Sequence, residues 1–475
     1  MGDKSFTEAV CGLGLGDEGK GSFVDAWVGR MQTPALVVRY NGGPQAAHHV
    51  VLPDGRWHCF AQLGAGMLQN QTETLLSPYM LVEPLSLVRE ATHLADLGVG
   101  TPLLRTWVAR RCVVVTPFHK LLGRLREVAR GNARHGSCGL GVSQAWLDSQ
   151  KPGLPSLRVD DLLDPGTLCS KLRFLQLVKV DQAEQLLDSL PPQQRTADAQ
   201  RLLTQLQHRD VPQKLADDYA RFVSSGVHFV DDQQVQSMIA KPQRPCILEG
   251  AQGVLLDAEH GFFPFVTPSK TSLFQANLLL NGRPSRQVGI VRAYATRHGP
   301  GPLVSEDAEL TRVLRENHNV ENPWQGPMRV GWFDAVATRY ALAVVSGQVH
   351  IALTCLDRLV GLSSLYLCNR YRYDGPWAAD LDDFFVFDAA RHVSDLRRAA
   401  QPTLARQQRL TALLAHCRPI LQTLAPIPTL LQAKGSLSTA ADAYIDALLA
   451  AIKLDRQALI CLSVGDKASD KRWFD

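Results

Sequence analysis

Short runs that are apolar on both faces constrain this 475-residue chain more than any other feature. Ala35–Tyr40, Cys246–Leu248, Val288–Tyr294, His350–Thr354 and Leu459–Ser463 carry apolar side chains at most positions instead of alternating apolar with polar. A strand with one wet face alternates; a strand covered on both faces does not, and helices packed on either side of a sheet give that cover. Helical patterns lie between the runs. Near the end, Tyr444, Leu448 and Ile452 share one helical face, with Ile445 and Leu449 beside them. The expected fold is α/β, with a mostly parallel central sheet flanked by helices. Asp181–Asp232, rich in Gln, Asp and Leu, reads as surface helices separated at Pro191-Pro192. Ala399–Gly435 reads as helix broken near Pro426-Ile427-Pro428. No repeat and no low-complexity linker divides the chain, so residues 1–475 are expected to form a single domain with helical insertions at about 151–240 and 385–455.

Charge and cysteine usage narrow the partners. The formal net charge is +4 and no block of like charges stands out, so neither nucleic acid nor a membrane surface is expected. No run of about 20 apolar residues occurs, so no transmembrane helix is expected. The opening MGDKSFTEAV lacks the apolar core of a secretion signal, and Phe6 in place of Ser or Thr argues against myristoylation. The 10 cysteines are scattered without a C-x-x-C, which points to reduced thiols in the cytoplasm.

The chemistry begins at "CGLGLGDEGKGSFVD", Cys11 to Asp25, directly after the apolar Ala9-Val10. Gly14 to Gly21 almost completes the phosphate-loop pattern G-x-x-x-x-G-K-[ST], but Gly21 stands where the metal-binding hydroxyl belongs. Backbone N–H groups at a helix start bind phosphate oxygens, glycines let the backbone come close, and Lys20 adds a mobile positive charge. A glycine-rich turn without a ligand is the competing reading. Asp17 and Glu18 weigh against it. An acid in a phosphate cradle is repelled unless a cation sits between or the acid does chemistry. That asks for Mg²⁺ or a general base, with Asp17 supplying the ligand that the missing Ser or Thr does not. The next segment, "RYNGGPQAAHHVV" (Arg39–Val51), offers a Gly-Gly turn, the Gln45 amide and His48-His49. Paired histidines are commonly structural or surface residues, and zinc is not expected without partners at ligand spacing. Beside a phosphate cradle, a histidine can donate a proton or stabilise charge.

GDEGKG followed by R-Y-N-G-G-x-Q-A-A-H resembles the adenylosuccinate synthetase family, which reads W-G-D-E-G-K-G and then G-G-x-N-A-G-H-T. Further blocks follow in the family's order: "LEGAQGVLLDAEHGFFPFVT" (Leu248–Thr267), "VGIVRAYATRHGPGP" (Val288–Pro302), "GWFDAVATRYA" (Gly331–Ala341), "LTCLDRLVG" (Leu353–Gly361) and "LSVGDK" (Leu462–Lys467). They span nearly the whole chain. The resemblance implies a P-loop-NTPase-like fold and a GTP-dependent ligase joining IMP to L-aspartate. By position, Asp17 would be the general base that takes the N1 proton of the purine, so that its O6 attacks the γ-phosphate of GTP. His48 would stabilise the transferring phosphoryl group as a general acid, Lys20 would add charge, and Gln252 would bind near the purine O6. The amine of aspartate would then displace the 6-phosphoryl group.

The resemblance extends to the remaining contacts. Mg²⁺ would be held by Asp17 and the Ala47 carbonyl. GTP would meet Gly16, Glu18, Gly19, Lys20, Gly21 and Ser22 in the loop, then His49 and Arg329, with its base at Asp357, Ser463 and Gly465. The purine substrate would meet Asp17, Gln45, Ser137, Cys138, Gln252 and Thr267, and Gln325, Gly326 and Arg329 would form the amine-donor loop. The family also implies a homodimer.

The departures from the family pattern cluster on the acceptor side. Ala47 replaces a glycine, His49 a threonine, and Cys138 the threonine for the IMP phosphate. Between Asp148 and Leu157 only Lys151 is cationic, where the family lends an arginine across the dimer. Trp324-Gln325-Gly326-Pro327-Met328-Arg329 stands for T-T-G-R-x-R, so Pro327 replaces an arginine on the aspartate and ribose side while Arg329 survives. At the guanine, Cys355 replaces a lysine and Asp357 remains. The catalytic half keeps its residues while the acceptor half is remodelled. Adenylosuccinate synthesis, the same chemistry on a different amine or purine, and a non-catalytic nucleotide-binding regulator are the three readings that follow.

Overall fold

The computed structural model describes residues 7–31, 33–69, 71–241, 244–315, 324–433 and 435–474. Phe6, on which the myristoylation argument rests, lies outside them. Each apolar run becomes a strand of one ten-stranded sheet. Across the sheet the order is Lys471–Trp473, Leu459–Ser463, Val349–Thr354, Arg286–Arg292, Thr7–Gly12, Cys246–Gly253, Leu36–Arg39, Glu73–Leu76, Thr106–Ala109 and His228–Val230. All neighbours run parallel except the first pair, where Lys471–Trp473 is antiparallel to Leu459–Ser463. The absence of alternation has the expected cause. Ala9, Val10, Leu36, Val38, Leu248, Ile290 and Ile351 are fully buried between the sheet and the helices on its faces.

Thr7–Gly12 pairs with Cys246–Gly253 on one side and Arg286–Arg292 on the other. The carboxyl ends of these three central strands therefore open side by side, where open parallel sheets bind ligands. A second, five-stranded sheet is built from Phe333–Asp334, Leu365–Tyr373, Phe385–Phe387, Val393–Leu396 and Cys417–Leu424. Its buried residues and those of the central sheet belong to one hydrophobic cluster.

Two stretches differ from the sequence expectation. Residues 181–232 do form helices, but they also contribute His228–Val230 as the edge strand of the central sheet. Their faces are not merely superficial either, since Leu202, Leu206, Tyr219 and Phe222 are buried. Ala399–Gly435 is helical only over Leu404–Leu414; Cys417–Leu424 is a strand paired antiparallel with Leu365–Tyr373. The segment expected as a helical insertion at 385–455 thus carries three strands of the second sheet, along with the helices Leu404–Leu414 and Thr439–Ala451. Among the described residues no helix is long and apolar enough to cross a membrane.

Candidate active site

The glycine-rich loop links strand Thr7–Gly12 to helix Lys20–Gly29, whose N-cap is Gly19 at φ 88°. Glu18 turns back into this loop. Its Oε1 accepts from the N–H groups of Gly14 at 3.0 Å and Gly16 at 2.8 Å, and its Oε2 lies 2.5 Å from Lys20 Nζ. Both side chains are buried. Lys20 is therefore not the mobile cation expected from the sequence: its ammonium neutralises Glu18, and the repulsion between this acid and a phosphate is removed at its source. Asp17 is different. It sits at φ 61°, a left-handed conformation in which Asp and Asn are the best-tolerated side chains other than Gly. Its carbonyl accepts from Arg292 Nη1 at 3.0 Å. Burial raises its carboxyl above the ordinary aspartate value, with Arg292 pulling the other way.

Gly21 explains the missing hydroxyl. A Cβ there would lie 2.5 Å from the Cβ of His48 and 3.1 Å from its backbone carbon. No side chain fits between the first helical turn and the strand His48–Val51, and this contact is what brings His48 to the loop. Gly21→Ser, which would complete the P-loop pattern, is expected to lower stability by about 1–3 kcal/mol through overpacking. Urea unfolding measures this; an unchanged midpoint would mean the contact is loose.

His48 Nδ1 lies 2.6 Å from Oε1 of Glu249. The other Glu249 oxygen accepts from Ala65 N at 3.0 Å and lies 3.9 Å from Arg39 Nε. Against the upward push of burial, Arg39 and His48 hold Glu249 below the ordinary glutamate value, so it is a carboxylate. Burial lowers His48 to about 4 despite Glu249. The imidazole is therefore neutral at pH 7, with its hydrogen on Nδ1 toward Glu249 and a lone pair on Nε2. Glu249 is not among the residues expected from the sequence, yet it is the acid that holds His48. Its signal is an acid closing the apolar run Cys246–Leu248, a position that burial leaves to a charge only when it has partners.

Asn41 ties the next two loops together. Its Nδ2 donates to Ala251 O at 3.2 Å and Lys270 O at 3.0 Å, and its Oδ1 accepts from Ala251 N at 2.7 Å. A Cβ on Gly42 would lie 2.5 Å from that of Ala251. Two amides meet at this closure. Gln252, at φ 58°, keeps Oε1 buried without a hydrogen-bond partner, as do both amide atoms of Gln45. Buried orphan amides are costly unless a ligand satisfies them, and a purine edge offers matching donors and acceptors. Thr267 lies nearby in sequence, its N–H on Leu256 O at 2.9 Å and its Oγ1 3.4 Å from Ser269 Oγ. Ser137 and Cys138 are half-buried, and burial pushes the Cys138 thiol up. Arg124 donates to Gly139 O at 3.0 Å in this segment, and a Cβ on Gly139 would touch the Trp324 indole at 2.8 Å. Trp324 thus packs on the Ser137–Gly139 turn. Neither Ala46 nor Ala47 has positive φ, so alanine in place of the family's glycine needs no altered loop.

Thr354 ties a third strand end to the glycine loop, its Oγ1 donating to Glu18 O at 2.6 Å. Cys355 follows at φ 58°, and then Asp357, half-buried and raised by burial. Across from it, Ser463 Oγ donates to Gly465 O at 2.7 Å, Ser22 Oγ to Asp466 O at 3.2 Å, and Lys467 Nζ to Pro53 O at 2.9 Å. His49 packs on Trp57 with the ring centroids 5.1 Å apart and the planes tilted, in the hairpin of His48–Val51 and Trp57–Phe60.

On the amine-donor side the arginines are already engaged. Arg297, buried and lowered to about 9 by burial and by Arg329, donates to the carbonyls of Pro300 at 2.7 Å, Pro302 at 3.1 Å and Phe265 at 3.2 Å. Arg329 donates to Gly299 O at 3.1 Å and Gly301 O at 2.6 Å and pairs with Glu306 at 2.7 Å. His298 Nε2 lies 2.9 Å from Gly326 O, and Gln325 O packs within 2.4 Å of where a Gly299 Cβ would be. Gln325, Gly326 and Arg329 thus lie on one braced turn, with the Arg329 guanidinium against the carbonyls of residues 299 and 301.

Among the described residues no group of three or more His, Cys, Asp or Glu could hold a metal. Mg²⁺ needs less, since one carboxylate with phosphate oxygens and water suffices. Asp17 and the exposed Ala47 carry donors of that type.

The adenylosuccinate synthetase family model matches residues 9–393. The adenylosuccinate synthetase of Exiguobacterium sp. is 31% identical over 375 residues, covering 77% of this chain and 80% of that protein. That of Lactiplantibacillus plantarum is 32% identical over 373 residues, covering 77% and 80%. Among solved structures, the fully ligated adenylosuccinate synthetase of Plasmodium falciparum superposes with a TM-score of 0.74 at 19% identity, over 100% of both chains. Cyanophage S-2L succinoaminodeoxyadenylate synthetase, bound to dGMP and dATP as an energy donor, superposes with a TM-score of 0.56 at 17% identity, over 99% of this chain and 95% of that one.

Proposed function

Because the chain belongs to the adenylosuccinate synthetase family, we propose the following division of labour among its residues for that family's reaction. The enzyme is a GTP-dependent ligase that joins IMP to L-aspartate through a C–N bond. Asp17 takes the proton from N1 of the purine, and O6 attacks the γ-phosphorus while GDP leaves. The aspartate amine then attacks C6, the 6-phosphoryl group departs as phosphate, and the amine loses a proton. Little of this requires covalent help from the protein; positioning and charge neutralisation carry it. The amides at the start of helix Lys20–Gly29 receive phosphate oxygens. His48, held by Glu249, meets the transferring group through Nε2. Gln45 and Gln252 turn their orphan amides to the purine. Asp17 and the Ala47 carbonyl would hold Mg²⁺, which neutralises phosphate charge when bound.

The observation that carries this assignment is the packing of His48 on the helix start that follows Asp17, a contact too close for any side chain at position 21. Its test is adenylosuccinate formation from IMP, GTP and aspartate, followed with equal amounts of GDP and phosphate. Release of phosphate without the C–N product would defeat it.

One observation favours a second reading of the amine donor. A dicarboxylate needs guanidinium forks, and those of Arg297 and Arg329 are engaged by carbonyls and Glu306. Losing one charge-assisted contact costs about ten- to a hundredfold in affinity. The KM for L-aspartate is therefore expected to exceed that of a relative assayed alongside by about that factor. A panel of amines assayed at fixed IMP and GTP checks this, and an aspartate KM equal to the relative's would discard the altered-donor reading. We assign the enzyme to the cytoplasm, consistent with its free thiols. We also assign it a homodimeric state, which the exposed Phe174 and Leu177 on helix Pro165–Asp188 support.

A further inference from the structure

Cys355 stands where the family pattern has a lysine, and a different lysine, Lys471, lies at the same end of the central sheet. Lys471, on the antiparallel strand that ends the central sheet, is the register partner of Ser463. Its side chain is 7% exposed. Nζ donates to Gly465 O and Lys467 O, both at 3.0 Å. These carbonyls belong to the segment that Ser22 and Lys467 fasten to the helix start and to the Pro53 turn. Lys471 therefore closes this segment from inside. After two carbonyls an ammonium still has a donor left. Burial lowers Lys471 below the ordinary lysine value, while Cys461, Asp470, Cys355 and Asp357 act to raise it. Strand register brings the two ends together: Leu353 pairs with Leu462 and Ser463 with Lys471, so the turn that follows Thr354, with Cys355 and Asp357, opens at the same end of the sheet as Lys471.

A buried ammonium is expensive, and it persists where its hydrogens have acceptors. A donor beside an acceptor matches one purine edge. Guanine shows an oxygen at position 6 and hydrogens on N1 and N2; adenine shows an amine at position 6 and a lone pair on N1. Both contacts reverse sign for adenine, which leaves two buried groups unpaired.

We propose that Lys471 is a specificity-determining residue of the nucleotide site, holding the Gly465–Lys467 segment over the base and giving its remaining hydrogen to the 6-oxygen of guanine while Asp357 accepts from N1 and N2. The proposal rests on the reading of Asp357 as the guanine-facing carboxylate. It assigns the family's lysine function to a residue more than a hundred positions further along the chain and on a different strand.

The test is calorimetric Kd for GTP, ITP and ATP, with kcat for GTP, on the full chain carrying Lys471→Met. GTP and ITP both have the 6-oxygen, so both should bind about ten- to a hundredfold more weakly. ATP, which has no 6-oxygen, should lose less, by the loop brace alone, and the GTP loss should fall on Kd more than on kcat. Equal losses for all three nucleotides would overturn the proposal, because Lys471 would then only brace the loop. Wild-type protein that binds ATP as well as GTP would instead overturn the guanine reading itself, and this shows before any variant is made. If Lys471→Met does not fold by circular dichroism, Lys471→Gln, which keeps a neutral donor, takes its place. Its loss must again be larger for GTP and ITP than for ATP.

Discussion

Asp17→Asn is expected to keep the fold and lose turnover by about 10²–10⁴-fold, the range ascribed to a positioned general base. Asparagine is the informative replacement because residue 17 sits at φ 61°, where Asn is nearly as comfortable as Asp and alanine would add strain of its own. The variant keeps shape and backbone and removes the carboxylate that accepts the proton and would hold Mg²⁺. Adenylosuccinate formation by absorbance, with melting temperature as the fold control, measures both halves. Near wild-type turnover in the variant would remove Asp17 from the chemistry. The same residue sets a pH signature. Burial raises its carboxyl against the pull of Arg292, and catalysis needs the ionised form. The acid limb of kcat/KM is therefore expected above the ~3.9 of a free aspartate side chain, and activity falls as pH drops through that raised value.

Glu249→Gln is expected to cost about 10²–10⁴-fold in kcat while leaving GTP bound. Glu249 fixes the hydrogen of His48 on Nδ1 and leaves the lone pair on Nε2, the atom proposed to meet the transferring group. A neutral amide at 249 can present its N–H to Nδ1, which selects the wrong tautomer. It also withdraws the charge that would stabilise an imidazolium. Because burial lowers His48 to about 4, the ring begins neutral and must take up a proton to serve as an acid. The negative charge of the triphosphate supplies the driving force, so GTP binding to wild type should absorb protons at pH 7 and tighten as pH falls. Calorimetry in buffers of different ionisation enthalpy reads the uptake directly. In Glu249→Gln the uptake should disappear. An unchanged kcat with unchanged uptake would make Glu249 a purely structural partner.

Particular residues show what sequence could convey. The apolar runs gave their strands away because cover on both faces suppresses alternation, and the glycine loop followed a strand as a phosphate cradle must. Cys417–Leu424 was read as helix for a physical reason. It is a mixed, largely exposed strand holding Pro419, and it lies at the margin of the second sheet, where proline costs no needed hydrogen bond. His228–Val230 spans 3 residues, too few for any period to show. Residue types identified the loop as a charged site, but not the direction of each charge. Glu18 and Asp17 are adjacent letters of like chemistry, and only backbone geometry turns one inward to Lys20 and leaves the other with the raised carboxyl. Arg329 was legible as an arginine in the right place, but its carbonyl partners at Gly299 and Gly301 come from a neighbouring turn.

The two halves of the site are held by different kinds of force, and this bears on how such an enzyme can change over time. Around the glycine-rich loop, close contacts leave no room for a methyl group: Gly21 on the Cβ and main chain of His48, Gly42 on the Cβ of Ala251, Gly253 on the Gly14 carbonyl. No gradual series of substitutions crosses a contact of that kind, because the first added carbon already collides. Around the proposed donor side, the turns are braced by replaceable side chains, Arg297, His298 and Arg329, each grasping carbonyls that any residue supplies. Such braces can be exchanged one at a time, with the scaffold intact at every step. Selection acting on this architecture therefore finds the phosphoryl-transfer chemistry frozen and the choice of nucleophile open, and new ligases should branch from it at the donor turns.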